Sequence, residues 1–448
     1  MSFKDKIPGY NNLVLPYHYL QSFTARHLAG RPDKKLHIIG VTGTNGKTTT
    51  SFMIWKMLNH AGRKTGLMTT VAWGVPGLKK SNLPKGESGT PDKDGLIKQI
   101  EHMTTVDPVT LNRRIKTIAN SGAEYLVLEV TSHALAQFRT LGIHFDLAVM
   151  TNVTYEHLDY HKTFDNYIAA KCKLFRQAEF GIINADDPSA KFFKAAIACS
   201  PYSRPHTTKY IDYGIDSGNA RAQSIKLGPA GVEYKISFTK TSEYRPTNIK
   251  TRIPGKFNVY NSLAAACAGY LLGLTTKEIT DGLYALEEVE GRMNRIDEGQ
   301  KFDCIVDFAH TPDAFEKVFT SVGKPKGRII SLFGGAGRRD ETTRAKRGEI
   351  AGRYSDICIL TEDDSRDENP NHIISMFEEG CKKAGLKDQN IIKIVDRKSA
   401  IEHAVKIAKP GDLVLILGKG HEKTILRADG PHPFEDLKIT RQAIKALK

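Results

Sequence analysis

The apolar positions of this chain fall in short runs of strand length, set between stretches whose apolar residues recur at helical spacing. Leu36–Val41 (LHIIGV) reads as a strand and Thr48–His60 as the helix after it. Tyr125–Val130 (YLVLEV) and Phe145–Met150 (FDLAVM) are continuous apolar runs, the pattern of strands covered on both faces. Cys304–Asp307, Arg328–Phe333, Ile357–Thr361 and Leu413–Leu417 repeat it in the last third. Such runs, alternating with helical stretches, predict α/β architecture with doubly wound, mainly parallel sheets. Residues 200–250 differ. They are polar and alternating, and predict a small antiparallel excursion. A turn near Gly291–Asn294 precedes the second set of strands. The expected organisation is a short N-terminal segment over 1–35, a central domain over 36–292 and a Rossmann-like C-terminal α/β domain over 293–448.

Composition narrows the class. Of 448 residues, 40% are hydrophobic and 26% charged, which excludes a disordered or collagen-like chain. Lys and Arg number 65 against 50 Asp and Glu, a net charge of +15. That charge is spread along the chain, with no block of five like charges and no interleaved aromatics. The expectation is a solvated basic surface that attracts small anions, and no nucleic-acid partner. No run reaches the roughly 18 apolar residues that span a bilayer, and no secretory signal opens the chain. Cysteines 172, 199, 267, 304, 358 and 381 form no CxxC pair, so a reducing, cytoplasmic setting is expected.

The strongest local signal is Gly40-Val-Thr-Gly-Thr-Asn-Gly-Lys-Thr-Thr-Thr50, between a predicted strand and a predicted helix. Its glycines let backbone N–H groups curl round an anion, and the helix N-terminus adds positive potential. A P-loop-type ATPase domain is the expectation. Gly43, Thr44, Asn45, Gly46, Lys47, Thr48 and Thr49 would cradle the phosphates, Lys47 reaching the outer ones and Thr48 offering its hydroxyl to Mg²⁺. Val41 stands where the strict motif has its first glycine. Glu129 and His157 each follow a strand end, where doubly wound folds present ligand residues.

GTNGKTTT resembles the nucleotide loop of the Mur ligases, ATP-dependent amide-forming enzymes of peptidoglycan synthesis. Five more segments follow in the family's order: Glu129-Val-Thr-Ser-His133, Thr151-Asn-Val-Thr-Tyr-Glu-His-Leu-Asp-Tyr-His161, Ala169-Ala-Lys171, Gly255-Lys-Phe-Asn-Val-Tyr-Asn261 and Asp307-Phe-Ala-His-Thr-Pro-Asp313. The resemblance runs from about residue 36 to the C-terminus and is closest to the MurE branch, the tripeptide synthetases. It implies a diamino acid, meso-diaminopimelate or L-lysine, joined to UDP-N-acetylmuramoyl-L-alanyl-D-glutamate through an acyl phosphate. It also implies catalytic roles for Lys47, Glu129, His157 and Lys171. Magnesium would be held by Thr48, Glu129, His157 and Lys171, with Lys171 as a carbamylated lysine.

For ATP the resemblance implies Asn258, Asn261, Arg292 and Asp307. For the muramoyl dipeptide it implies Thr104, Thr105, Thr131, Gln137 and Arg139. For the incoming amino acid it implies Arg344, Gly418, Glu422 and the selectivity segment Asp363, Asp364, Ser365 and Arg366, which reads Asp-Asn-Pro-Arg in diaminopimelate enzymes. An Arg fork there grips the distal carboxylate that lysine lacks. Asp364 adds a negative charge beside it. Only about 40 residues precede the loop, fewer than the family's usual UDP-binding domain needs, so a truncated N-terminal domain is expected, and a monomer. The alternatives are a related Mur-type or folylpolyglutamate-like ligase acting on another glutamate-bearing acceptor, and a non-catalytic nucleotide-binding partner. Intact Lys47, Glu129, His157 and Lys171 favour the enzyme.

Overall fold

Strand β1 (His37–Thr42) is apolar enough to sit at the centre of a sheet, and it does. In the computed structural model, which describes residues 15–99, 103–202, 209–228, 231–238, 246–339 and 341–447, β1 pairs in parallel with β5 (Tyr125–Glu129) on one side and β6 (Phe145–Met150) on the other. The full sheet adds β2 (Thr65–Met68), β3 (Ala72–Gly74), β4 (Leu96–Lys98), β7 (Ala178–Asn184), β8 (Tyr210–Gly214), β9 (Ala220–Gly228), β10 (Gly231–Phe238) and β11 (Thr247–Thr251). Its order is β11-β10-β9-β8-β7-β6-β1-β5-β2-β3-β4. Ile38, Leu126, Phe145 and Phe175 are fully shielded in its core, each such burial contributing roughly 1.5–3 kcal/mol.

Of the antiparallel excursion expected over 200–250, strand β8 is corrected, while β9, β10 and β11 do follow one another as sheet neighbours. Strand β8 pairs parallel to β7, so this stretch lengthens the main sheet instead of standing apart. Its polar alternation reflects one solvated face, as β10 shows by burying Val232, Tyr234 and Ile236 in turn. Residues 203–208, 229–230 and 239–245 of that stretch lie outside the described residues.

The chain forms two compact units. The first ends at Leu286 and the second begins at Glu287, with Leu227–Val232 and Arg252–Phe257 also belonging to the second. Within the expected N-terminal segment, helix Leu15–Leu28 packs on helix Pro108–Asn120. Arg26 there donates twice to Asp33, at 3.0 and 2.7 Å. Residues 1–14 of that segment lie outside the described residues. The second unit has a six-stranded sheet, ordered β12 (Asn294–Arg295), β13 (Asp303–Asp307), β17 (Leu413–Leu417), β14 (Ile329–Phe333), β15 (Ile357–Leu360), β16 (Ile391–Lys393). All its pairs are parallel except β12 with β13. Parallel strands bring their C-terminal ends to one edge, where the following loops can build a site. Among the described residues no helix is long and apolar enough to cross a membrane.

Candidate active site

The loop after β1 is shaped from outside. Gly43 has φ +150° and Gly46 φ +85°. A Cβ on Gly43 would lie 1.9 Å from Thr151 Oγ1, and one on Gly46 would lie 2.3 Å from Asn261 Oδ1, so only glycine fits at either place. Thr44 N donates to Asn152 O at 2.7 Å and Asn45 N to Asn152 Oδ1 at 3.0 Å. Thr151 Oγ1 and Asn152 Nδ2 both donate to Asn45 O, at 2.7 and 2.8 Å. The Thr-Asn pair after β6 is thus a template for the loop. Lys47 opens helix Lys47–His60 and donates to Thr44 O at 2.7 Å, folded back across the loop. Val41, in place of the first glycine of the strict motif, is buried in β1 and leaves this geometry intact.

Glu129 ends β5 directly beside Val41 of β1. Its buried carboxylate accepts from Thr48 Oγ1 at 3.0 Å and from Thr70 N and Oγ1 at 3.1 and 3.2 Å. With its one proton on that carboxylate, Thr70 Oγ1 accepts from Thr104 Oγ1, the two oxygens 2.8 Å apart. Thr105 Oγ1 donates to Glu129 O at 3.0 Å and accepts from Thr131 N at 3.1 Å. Arg139 donates to Thr105 O and to Gln137 Oε1. Gln137 reaches Tyr160 Oη at 3.2 Å. One chain of hydrogen bonds therefore joins the phosphate loop to Thr104, Thr105, Thr131, Gln137 and Arg139. Thr70, its link, carries no sequence signal of its own.

Lys171 is fully enclosed on helix Phe164–Phe175, with Nζ donating to Gly43 O at 2.6 Å and lying 4.4 Å from the centre of the Tyr167 ring. Burial first, then the charge of Lys47, push its pKa well below the usual lysine value, against the pull of Glu156 and Glu129. His157 adopts φ +55° after β6, its Nε2 3.7 Å from Glu156 Oε2. Tyr167 Oη meets Thr44 Oγ1 at 3.0 Å and Glu156 Oε2 at 3.4 Å. Lys47, Thr48, Glu129 and Lys171 thus surround one loop, with His157 joined to them through Glu156 and Tyr167. Glu156 stood next to His157 in the motif and was readable there, whereas Tyr167 gave no sign beyond helical spacing.

Asn258 and Asn261, expected beside the adenine, are buried on helix Lys256–Leu271 behind the loop. Asn261 Nδ2 donates to Asn258 Oδ1 at 2.8 Å, and its Oδ1 accepts from Thr50 Oγ1 at 3.3 Å. In this structure they brace Gly46. In the second unit, the Asp307 carboxylate accepts from Met293 N at 2.7 Å and Ala309 N at 2.8 Å, pinning β13 to the turn before β12. Burial raises its pKa, with Arg292 opposing. The Arg292 guanidinium lies 4.7 Å from the Phe308 ring centre.

The loops after β14, β15 and β17 meet in the second unit. Gly337 N donates to Asp364 O at 2.7 Å, and Arg366 Nη1 to Gly337 O at 2.7 Å. Arg366 is left-handed, at φ +52°, and its own N–H donates to Leu426 O at 2.9 Å. Ser365 is buried, its carbonyl accepting from Glu368 N at 3.0 Å. Lys419, enclosed after Gly418, donates to Asp363 at 3.2 Å, Asp364 at 2.7 Å and Glu422 at 2.7 Å. One ammonium is shared among three carboxylates, with the Arg366 and Arg397 guanidiniums within electrostatic reach, and carboxylates of this kind suit an amino acid's ammonium. For Asp363, burial works against ionisation, but Lys419 and then Arg397 outweigh it and hold the carboxyl at about 2. For Glu422, burial dominates and lifts the carboxyl to about 7 against Lys419. Arg344 is fully buried and donates to both oxygens of Glu368, at 2.6 and 2.8 Å, and to Ala336 O at 2.9 Å. It was expected to face the amino acid, and here it braces the glycine-rich turn after β14, which starts at Gly334. Asp340 of that turn lies outside the described residues. Lys419 stood inside Gly-Lys-Gly-His-Glu, yet reading only Gly418 and Glu422 missed it.

The donor set of the first unit fits a magnesium ion. Glu129 is a buried carboxylate that forms no ion pair with any of the described residues, and the Thr48 hydroxyl at its side supplies a second hard oxygen. A phosphate loop at the centre of a mainly parallel sheet, joined to this oxygen-rich cluster, is the arrangement of a magnesium-nucleotide enzyme, and the family matches make it an ATP-dependent ligase. Residues 41–269 match the Mur ligase middle domain and residues 291–420 the Mur ligase, glutamate ligase domain. The chain belongs to the Mur ligase family. It is 36% identical over 421 residues to UDP-N-acetylmuramoyl-L-alanyl-D-glutamate--2,6-diaminopimelate ligase 1 of Clostridium acetobutylicum, covering 93% of this chain and 80% of that protein. It is 35% identical to UDP-N-acetylmuramyl-tripeptide synthetase of Roseiflexus sp. over 437 residues, with 93% and 80% covered. A solved structure of a UDP-N-acetylmuramoyl-L-alanyl-D-glutamate--2,6-diaminopimelate ligase superposes with a TM-score of 0.62 at 29% identity, covering 92% of this chain and 79% of that one.

Proposed function

We propose that this ligase joins a diamino acid, diaminopimelate in preference to lysine, to the glutamate carboxyl of UDP-N-acetylmuramoyl-L-alanyl-D-glutamate. The observation that carries the reading is the continuous hydrogen-bond chain from Thr48 through Glu129 and Thr70 to Thr104 and Thr105. It puts a segment of the family's acceptor-binding type next to the phosphate machinery. The names of the relatives supply the acceptor and the amino acid.

The acceptor carboxylate attacks the γ-phosphorus of ATP, and the bond to ADP breaks. The resulting acyl phosphate is attacked at its carbonyl carbon by the amine, and phosphate leaves. Two anions must meet in the first step. Like unit charges about 4 Å apart repel by about 4 kcal/mol at an effective dielectric of 20. Lys47 and the loop N–H groups offset that repulsion. Thr48, Glu129, His157 and Lys171 would hold magnesium, which screens the phosphate oxygens. Lys171 contributes as a carbamate: its neutral Nζ bonds to the carbon of CO₂ and releases a proton, turning an amine into an oxygen-bearing anion. Gln137, Arg139 and Thr131 orient the acceptor, and Arg292 and Asp307 serve the nucleotide. Asp363 and Glu422 receive the amino acid's ammonium.

Asp364 argues less against diaminopimelate than its charge suggests. Its carboxylate is taken up by Lys419 and by Leu426 N at 3.0 Å. Arg366→Ala is expected to raise KM for diaminopimelate by about 10- to 100-fold, the worth of a charged hydrogen bond, while lysine use changes little. Parallel losses with both amino acids would remove Arg366 from selectivity. Glu422, lifted to about 7, binds an ammonium only when ionised, so KM for the amino acid should rise as pH falls through 7. In Glu422→Gln that pH dependence should vanish, and its persistence would assign the titration elsewhere.

The function itself is tested by incubating the protein with ATP, Mg²⁺, UDP-muramoyl dipeptide and diaminopimelate, lysine or ornithine. Phosphate release should need all components, and mass spectrometry should find the new amide. Absence of amide with all three amino acids overturns the proposal.

A further inference from the structure

Arg397 is the first residue of helix Arg397–Ile407, and Asp436 the first of helix Asp436–Lys445. Neither side chain is exposed to solvent. The guanidinium holds Asp436 with both arms, Nε to Oδ1 at 2.8 Å and Nη2 to Oδ2 at 2.7 Å. A buried ion pair of this kind could serve stability alone. Its remaining donors point elsewhere. Nη2 also donates to Leu417 O at 2.9 Å, and Nη1 to Glu362 O at 3.3 Å. Leu417 is the last residue of β17, immediately before Gly418 and Lys419. Glu362 immediately precedes Asp363 and Asp364. Strands β15 and β17 do not pair, because β14 lies between them. One planar cation therefore reaches past β14 and grips the two carbonyls from which both ammonium-binding loops spring.

We infer that Arg397 is a positioning residue for the amino acid: its fork, anchored by Asp436, fixes the spacing between the Asp363–Arg366 loop and the Gly418–Glu422 loop. The fit between those loops is tight. Gly418 has φ +117°, and a Cβ there would lie 2.8 Å from Asp363 Oδ2 and 3.9 Å from Arg397 Nη2. The carboxylates of Asp363 and Glu422 must stay close enough to share Lys419, and a shift of one loop against the other would open that cluster. Lysine cannot replace the fork, since a single ammonium lacks the planar geometry that meets a carboxylate and two separate carbonyls together.

The inference rests on reading these loops as the amino-acid site, so its test has a readout independent of turnover. In Arg397→Lys, amide hydrogen exchange should quicken in residues 362–366 and 418–422 and stay unchanged in the first unit. KM for the diamino acid should rise about tenfold, as when an outer partner of a binding group is removed, with kcat and KM for ATP within about twofold. If Arg397→Lys does not fold, Asp436→Asn, which keeps the guanidinium but weakens its anchor, should show the same exchange pattern to a smaller degree. Unchanged exchange in both loops of a folded variant overturns the inference, as does an equal rise in KM for ATP and amino acid. If the parent protein ligates no diamino acid, the proposed function fails, and the exchange comparison alone decides the role of Arg397.

Discussion

Lys47→Ala is expected to fold and to lose turnover by about 10²–10³-fold, the usual effect of deleting one charged donor at a developing transition-state charge. Lys47 sits at the mouth of its helix, and its contact to Thr44 O is local, so the fold loses little. The loop keeps its shape through Thr151, Asn152 and Asn261, none of which touches the Lys47 side chain in the contacts above. Nucleotide binding should weaken less than kcat falls, because the backbone cradle survives. Isothermal titration with a non-hydrolysable ATP analogue and steady-state phosphate release would measure the two separately. Full turnover in Lys47→Ala would remove the loop from the chemistry.

Lys171→Ala is expected to have an effect of similar size, about 10²–10³-fold in kcat, with partial recovery in added acetate or another short carboxylate. The reasoning starts from position. A lysine without solvent access, next to another lysine, is disfavoured as a cation, and its pKa lies well below the ordinary value. The depressed pKa enlarges the unprotonated fraction of the amine, the form that is nucleophilic toward CO₂. Acidification through the depressed pKa protonates it and stops the addition. Enzyme stripped of CO₂ should lose activity and regain it with bicarbonate, and ¹³C-labelled bicarbonate should give one carbamate resonance that Lys171→Ala lacks. Activity indifferent to bicarbonate, together with no resonance, would refute the modification.

Several features were legible in the sequence because they are local. A strand, a glycine loop and a helix follow one another between His37 and His60, and each obeys a short-range rule. The apolar runs that became β1, β5, β6, β13 to β15 and β17 were readable for the same reason. Long-range pairing was not. The polar stretch after residue 200 looked like a separate excursion because alternation reports a solvated face and says nothing about which strand lies alongside. Asn261 was expected at the nucleotide, and tertiary structure sets its Oδ1 against Gly46. Arg344 was expected, by resemblance, to face the incoming amino acid, and Glu368, twenty-four positions on, takes up its guanidinium. Thr70 and Arg397 were silent, since threonine and arginine are common and their partners are remote in sequence.

The amino-acid order by itself determined the glycine loop at a strand-to-helix turn and what class of reaction its residues suit, since backbone freedom and side-chain chemistry are properties of single residues and short spans. Tertiary structure decided which of those side chains are available and which are held by a partner. Burial and charge depend on distances in space, so the lowered pKa of Lys171, the raised pKa of Glu422 and the shared ammonium of Lys419 exist only once the chain has folded.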